Sequence, residues 1–318
     1  PGLSTNAAVL VATLWLDRPP TGADSFLVNT IAYITLGAVV FPIFVGGKIY
    51  NTLQIVMSIK VFTVLGFCLF LGLFFVGLDG WIDVFSGFLK FGNMPTTDVE
   101  GRDTVTNALT QYWSTGTFPV LALGNIAMLG AFAGYAGGGG LSNSAYGNFV
   151  RDKGWGMGSQ VGAIASAMGG RGITLSHVGK VFPINAENLK RWKGWWKYIL
   201  ADQVLVWVPG CFMGMALPAL MSIQFAHNST LYGKNITYSQ PLIAADGIRQ
   251  TASLGSWAPI LWIASLLVGL MVFLPSQMSI VDDFARRWTD ILWSGSRFAR
   301  SRLKDNQVSW LYYSILTL

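Results

Sequence analysis

Long uncharged apolar stretches alternate with polar segments along the whole chain. A helix needs about 20 consecutive apolar residues to cross the hydrocarbon of a bilayer, and several stretches reach that length. The pattern predicts an all-α integral membrane protein with one transmembrane domain, an outer loop at residues 79–115 that carries a surface helix around 81–89, and a cytoplasmic loop at 151–197. The predicted spans are residues 1–16 (partial), 25–47, 50–78, 116–150 (broken), 203–226, 255–293 and 308–318 (partial).

Basic residues are unevenly shared between the two sides that these spans define. Of the 21 Lys and Arg residues, 15 fall on loops of one side and 5 on loops of the other. Because cytoplasmic loops are rich in basic residues, we expect the first side to be cytoplasmic and the protein to lie in a bacterial inner (plasma) membrane. Lys60 lies on a predicted span, and its side chain is expected to snorkel to the nearby interface. The basic, Trp-rich residues 190–197 are expected to meet lipid headgroups rather than nucleic acid.

Composition excludes several classes of protein. The chain is 52% hydrophobic and 11% charged, whereas roughly a quarter of the residues in a soluble domain are charged. A soluble enzyme, a nucleic-acid-binding module and a disulfide scaffold are therefore excluded. Cys68 and Cys211 lie in separate apolar stretches and are expected to be buried thiols, with a disulfide or metal pair as the alternative. Because the chain lacks an initiator Met and stops within an apolar run, we expect an internal segment of a longer protein.

The most informative segment is the uncharged run at residues 116–150. It is 35 residues long, too long for one straight helix across about 30 Å of hydrocarbon. Four consecutive glycines interrupt it, and each costs roughly 1 kcal/mol in a helix interior relative to Ala. Unwound backbone at membrane depth is tolerated only inside protein or along a water-filled cavity, and transporters use such breaks to bind ions.

A broken helix at about 137–144 is therefore predicted, with backbone carbonyls and neutral side chains as ligands. The alternative is close packing of neighbouring helices, which small residues permit. The substrate-binding residues predicted here are Gly137, Gly138, Gly139, Gly140, Ser142 and Asn143. The candidate metal ligands among them are Gly137, Gly138 and Asn143.

A second candidate site lies around Pro275 in the later long span. Proline removes one helical hydrogen bond, which leaves Ser276 and Gln277 as polar groups at depth; Gln277 is added to the predicted substrate-binding residues. The alternative is a simple proline kink with satisfied neighbours. Further along the same helix, Asp282–Arg286 and Asp283–Arg287 are spaced as i,i+4 pairs. We expect a solvated ion-pair face there, with a proton relay as the alternative.

Three segments resemble helices of the Nramp-type (natural resistance-associated macrophage protein) divalent metal transporters. Residues 47–54, Gly-Lys-Ile-Tyr-Asn-Thr-Leu-Gln, are similar to the start of the family's fifth helix. Residues 130–134, Gly-Ala-Phe-Ala-Gly, lead to a broken segment as in the sixth helix. Residues 267–277, Leu-Val-Gly-Leu-Met-Val-Phe-Leu-Pro-Ser-Gln, resemble the eighth. The resemblance implies a LeuT-like (APC superfamily) helical bundle of two inverted repeats, present here in part, from the end of helix three to the start of helix nine.

Two departures from the family's pattern mean that the resemblance implies a divergent member. The Asp-Pro-Gly-x-Asn motif of the family's first helix would precede residue 1, and whether the protein has it is open. The Met-Pro-His motif of the sixth helix has no counterpart within residues 137–144, which hold neither Met nor His. Because the Met sulfur favours softer transition metals, that preference is not carried over. A harder ion or another substrate remains an alternative.

The resemblance and the broken helix together predict a secondary transporter of a divalent cation (Mn/Fe-like), coupled to protons. One alternative is a LeuT-fold sodium-coupled transporter of amino acids or other small solutes. A second is a non-transporting membrane scaffold. Membrane lipids, the divalent cation and protons are the expected partners, and nucleic acid is not among them. No catalytic triad or zinc-ligand spacing is visible, so neither an enzyme nor a cofactor is predicted.

Overall fold

The computed structural model describes most of the chain and gives it a largely helical fold. Helices account for 76% of it. Within the described part, four helices are long and apolar enough to cross a membrane: Gly22–Phe44, Ile49–Phe75, Ala186–Asn228 and Ala252–Gly295. The chain is therefore a helical membrane protein, as expected. The described residues are 2–45, 48–97, 103–122, 124, 130, 142–167, 173–177, 181–233 and 237–317, with the backbone alone at 142–144.

The helices and strands follow one another in two compact units. Unit 1 comprises Pro1–Gly77 and Gly147–Leu318, and unit 2 comprises Leu78–Tyr146. The helices are α1 Gly2–Leu16, α2 Ser25–Phe44, α3 Ile49–Phe75, α4 Leu78–Gly87, α5 Ala108–Thr115, α6 Ser142–Lys153, α7 Gly158–Val161, α8 Ala186–Asp202, α9 Val208–Phe225, α10 Ile243–Gln250, α11 Ala258–Gly295, α12 Arg297–Arg302 and α13 Val308–Leu316. The strands are β1 Asn93–Thr97 and β2 Asp103–Asn107.

Helices α8 and α9 form one continuous rod, joined by a π-helical turn at Gln203–Trp207. The rod begins at Ala186, well before the span at 203–226 that the sequence predicts, and runs for 43 residues to Asn228. Asn185 explains the early start, because its side chain accepts a hydrogen bond from the Asn188 backbone N–H at 2.8 Å and caps the first turn. The basic, Trp-rich residues 190–197 therefore lie on a helix.

Helix α11 is the central element of unit 1. It is 38 residues long and passes through Pro275 without ending, so it extends over about 57 Å at 1.5 Å per residue. That length exceeds the roughly 30 Å of hydrocarbon, so α11 is longer than a straight crossing of the bilayer requires. Packing against α1 is close at Gly269, where a Cβ atom would lie 2.8 Å from Leu10 Cδ1.

Two apolar cores flank α11 along its length. One surrounds its first half and joins α1, α2 and the loop before α10, with Leu10, Val28 and Leu266 fully buried. The other surrounds its second half and joins the end of α2, the start of α3 and α13, with Ile43 and Trp293 among its buried residues. Each half of α11 is thus fixed by its own set of neighbours.

Unit 2 contains a β-hairpin that the sequence analysis did not predict. The strands β1 and β2 pair antiparallel, and the Thr96 hydroxyl lies 3.1 Å and 2.9 Å from the hydroxyls of Thr104 and Thr106. Thr and Val alternate on β2, a pattern typical of a strand with one face packed. The loop predicted at 79–115 therefore holds helix α4, this hairpin and helix α5.

The start of the predicted broken span also differs from the structure. Gly116 takes a left-handed conformation (φ 71°) that ends α5, and residues 117–122 are not helical. Instead they run beside the hairpin, since the Thr97 N–H donates to the Val120 carbonyl at 3.0 Å and the Ala122 N–H to the Pro95 carbonyl at 3.2 Å. Much of the rest of 116–141, the glycine segment included, lies outside the described residues.

Candidate functional site

The structure describes only some of the residues that the sequence predicts as a site. Gly137, Gly138, Gly139 and Gly140 lie outside the described residues, so the broken helix at 137–144 stays a prediction. Ser142 and Asn143 form the first turn of α6, described for the backbone only. Gln277 lies two residues after Pro275 on α11 and is half-buried.

A polar contact joins α3 to α11 next to Pro275. The Lys60 ammonium donates a hydrogen bond to the Ser276 hydroxyl at 2.6 Å, and this hydroxyl donates to the Val272 carbonyl one turn earlier, also at 2.6 Å. A charged side chain among apolar spans is costly unless it faces protein or water. Lys60 is therefore held between two helices, a contact that the expectation of snorkelling did not include.

An open cavity of about 360 Å³ lies between α3 and α11, beside this contact. Ser279 lines it and follows Ser276 by one turn on the same face of α11. Gln277 lies on the opposite face and is not among the lining residues. The lining residues are Tyr50, Leu53, Gln54, Met57, Ser58, Val61, Phe62, Phe149 and Ser279. The cavity is thus lined by uncharged groups that can coordinate a ligand, namely hydroxyls, one amide and the thioether of Met57.

A buried ionic cluster, formed by Asp152, Asp282, Arg286 and Tyr312, lies one to two turns further along α11. The Arg286 guanidinium donates from Nε to Asp282 Oδ2 at 2.7 Å and from Nη1 to Asp152 Oδ2 at 2.6 Å. The side chains of this Arg and both Asp residues are 0% exposed. The Tyr312 hydroxyl donates to Asp282 Oδ1 at 2.6 Å. The cluster therefore ties α6, α11 and α13 together.

Neighbouring side chains complete the surroundings of the cluster. Arg151 donates from Nε to Asp152 Oδ1 at 3.0 Å, so two guanidinium groups and two carboxylates balance in charge. The Phe149 ring lies 5.4 Å from the Arg286 guanidinium carbon. One turn from the cluster, the Asn148 amide donates to Asp290 Oδ2 at 2.7 Å. Helix α6 is therefore attached to α11 at two levels.

The expectation of a solvated ion-pair face on α11 is wrong for Asp282–Arg286. Helices α6 and α13 cover that face, and only the neighbouring Asp283–Arg287 pair keeps some exposure, 14% and 22% of the two side chains. A signal was present in the sequence, because Met278, Asp282 and Ala285 continue the spacing of one buried helix face that extends to Trp293. Asp152 and Tyr312 carried no comparable signal, since their neighbours in sequence are polar and apolar respectively.

The histidines and cysteines lie apart from the cavity. His177 packs flat on Trp293, with 3.9 Å between ring centroids, and its Nδ1 and Nε2 lie 2.9 Å and 3.1 Å from the carbonyl oxygens of Trp293 and Leu303. Cys68 and Cys211 are free thiols, one buried and one half-buried. Among the residues that the structure describes, no three His, Cys, Asp or Glu side chains are grouped so as to hold a metal ion.

Comparison with known proteins adds no identification to this geometry. No protein-family model, no curated protein and no solved structure matches the chain.

Proposed function

We propose that the chain is part of a secondary transporter of a divalent cation, a divergent Nramp-like protein with a LeuT-like fold that couples transport to protons in a bacterial inner membrane. The observation that carries the proposal is the cavity between α3 and α11, with the buried ionic cluster next to it. A permeation pathway needs both features: polar groups within the apolar spans, and a structure that closes one end.

Polar side chains on membrane helices support the first feature. Gln54 and Ser58 lie on α3 and Ser279 on α11, each within an otherwise apolar stretch. Such groups in contact with lipid would lose their hydrogen bonds to water, so they face protein or a water-filled space. Neutral oxygen atoms of this kind bind hard divalent cations after partial loss of the hydration shell.

The buried ionic cluster supports the second feature. It fastens α6, and α6 directly follows the glycine segment in the sequence. Alternating access requires an element with two packed arrangements. A paired, charge-balanced cluster suits that task, because its partners separate together when water enters and pair again when water leaves. In this proposal the cluster closes the cytoplasmic end of the pathway, and its release lets α6 move.

Uptake into vesicles tests the proposal. The full-length protein is reconstituted into liposomes that contain a Mn²⁺-quenched dye, and Gly138→Leu is compared with wild type. The matched control is Gly210→Leu, the same change on α9 at a position where a Cβ meets nothing within 4 Å. We expect Gly138→Leu to abolish uptake and Gly210→Leu to retain it. Unchanged uptake in Gly138→Leu contradicts the site, and wild-type protein that moves no divalent cation contradicts the metal.

One observation favours a second candidate, a sodium-coupled transporter of amino acids or similar solutes. The Lys60 ammonium lies beside the cavity, and no carboxylate oxygen among the described residues lies within 4.0 Å of its Nζ. A fixed positive charge attracts the carboxylate of a solute and repels a cation. Sodium-driven uptake of labelled amino acids, lost in Lys60→Met, would support this candidate. A non-transporting scaffold would give no flux in either assay.

A further inference from the structure

A second, larger cleft lies away from the cavity, between the turn that follows α6 and the first half of α8. Its volume is about 690 Å³, within the range of ligand sites in proteins. The side chains that shape it are Arg151, Trp155, Arg191, Trp192, Trp195 and Ile199. Gly158 allows the turn to fold back, because a Cβ at that position would lie 2.5 Å from the Arg151 carbonyl oxygen. We call this feature the tryptophan cleft.

Aromatic rings form the walls of the tryptophan cleft. Trp155 and Trp195 pack against each other with 5.6 Å between ring centroids, and Phe182 packs on Trp192 at 6.3 Å. The Lys153 ammonium lies 4.4 Å above the Trp155 ring. Tryptophan and basic side chains occur together where a protein meets the headgroup region of a membrane. The walls therefore have the chemistry of that region, folded into a concave site.

Two guanidinium groups line the cleft, and no Asp or Glu side chain among the described residues does. Arg151 uses Nε for Asp152, while its Nη2 is buried and has no hydrogen-bond partner among the described residues. Arg191 pairs with Glu187, yet both side chains are 71% exposed, so that pair is weak. Both arginines therefore have N–H groups that can donate to a further anion. Guanidinium groups bind phosphate oxygens in a bidentate manner.

Apolar surface continues directly from the cleft along the same rod. Ile199 lines the cleft, and Leu200, Val204, Leu205 and Val206 follow it as exposed apolar residues, interrupted by the exposed polar Asp202 and Gln203. A soluble phosphate would use the two arginines and leave this surface unused. A phospholipid would use both, with its headgroup in the cleft and its acyl chains along the rod.

We propose that the tryptophan cleft binds the headgroup of an anionic phospholipid, with the phosphate held by Arg151 and Arg191. The site lies on the side of the protein that the distribution of basic residues assigns to the cytoplasm, where anionic headgroups bind basic pockets between helices. Arg151 also bonds to Asp152 of the buried ionic cluster. A bound lipid therefore stiffens the attachment of α6, whichever solute the protein carries.

Lipid titration of the purified full-length protein in detergent tests this proposal. Bound phosphatidylglycerol is counted by native mass spectrometry, with phosphatidylcholine as the neutral lipid and inorganic phosphate as a soluble competitor. Arg191→Gln is compared with Lys190→Gln, which removes the same charge from the adjacent exposed position outside the cleft. A milder variant, Arg151→Lys, keeps the charge but removes the fork geometry and guards against loss of folding.

We expect phosphatidylglycerol to bind with a defined stoichiometry, Arg191→Gln to weaken it about tenfold, as for the loss of one charge-assisted interaction, and Lys190→Gln to weaken it less than twofold. Weaker binding by Arg151→Lys, with an unchanged melting temperature in the absence of lipid, supports the role of the guanidinium fork. Equal losses in the two charge-removing variants would show diffuse attraction and overturn the proposal. Equal binding of phosphatidylcholine, or full displacement of the lipid by millimolar phosphate, would overturn it as well.

Discussion

Buried carboxylates lie near both ends of α11, and their negative charges are stabilised in different ways. At the C-terminal end, Asp152 and Asp282 share the Arg286 guanidinium, all three side chains are fully buried, and Arg151 supplies the second positive charge through Asp152. Before its N-terminal end, Asp246 of α10 is also buried but has no ion-pair partner among the described residues. Neutral donors bind it instead: the hydroxyl of Ser229 at 2.7 Å, and the backbone N–H and hydroxyl of Thr230 at 2.7 Å and 2.9 Å.

The buried ionic cluster therefore depends on charges that different helices contribute, whereas the Asp246 junction depends mainly on donors from one loop. In a buried charge pair, either partner left without the other costs several kcal/mol. The pair therefore opens as a unit, and removal of either partner destabilises it. A carboxylate surrounded by short-range donors from one loop keeps its hydrogen bonds as long as the loop stays folded. We infer that the Asp246 junction fixes the loop between α9 and α10, whereas the buried ionic cluster is the part of unit 1 suited to open.

Arg286→Met is expected to have the largest effect. The substitution keeps the apolar stem but leaves Asp282 buried without a guanidinium partner and Asp152 with Arg151 alone, which should cost about 3–5 kcal/mol of stability. Unfolding in detergent, followed by tryptophan fluorescence, measures the loss. Arg287→Met removes the neighbouring, partly exposed guanidinium and should cost no more than about 1 kcal/mol. Similar losses in the two variants would show that the cluster is not the stronger attachment.

Asp246→Ala is expected to come second. It leaves the buried Ser229 hydroxyl, and the more exposed N–H and hydroxyl of Thr230, without their acceptor, at a cost of about 1–3 kcal/mol. No opposite charge is left uncompensated, so the effect should be smaller than that of Arg286→Met. Hydrogen exchange should increase in residues 229–231 and in α10, and leave α13 unchanged. Faster exchange in α13 would mean that the two ends of α11 are not independent, and the comparison would fail.

Sequence pattern alone accounts for the apolar helices and for little of what joins them. Helices α2 and α3 follow from uninterrupted apolar stretches bounded by polar residues, because length and hydropathy decide whether a helix can cross a bilayer. The burial of Asp282 depends on α6 and α13 packing over one face of α11, and their contacts are 134 and 30 residues away in sequence. No local pattern contains that information.

The start of α8 and the strand β2 also differ from the sequence-based prediction, and both have local signals in the sequence. The Asn185 cap and Glu187 in the first turn mark a helix start at Ala186, yet the basic residues that follow made the segment resemble a loop. The alternation of Thr and Val in residues 103–107 marks a strand, yet it follows directly on acidic loop residues. The glycine segment and the LeuT-like fold remain predictions, since residues 131–141 lie outside the described ranges.

Acidification should produce the smallest effect, and it should act at the Asp246 junction. Burial alone would raise the pKa of Asp246, but hydrogen bonds from Ser229, Thr230 and Gln250 outweigh burial and hold it below the ordinary value. A carboxylate whose pKa is lower in the folded state stabilises that state fully above its unfolded pKa, about 4. That contribution declines as the pH falls through the lower, folded pKa, because the proton then removes an acceptor.

The free energy of unfolding of wild type and Asp246→Asn, measured between pH 7 and pH 3, separates this contribution from the acid response of the other carboxylates. Asn keeps the shape of the side chain and cannot titrate, so the difference between the two proteins should be constant from pH 7 to about 5 and shrink below about 4. A difference that grows on acidification would reverse the sign of the linkage. The neutral donors would then fail to hold Asp246 in its charged form, and burial would dominate its titration instead.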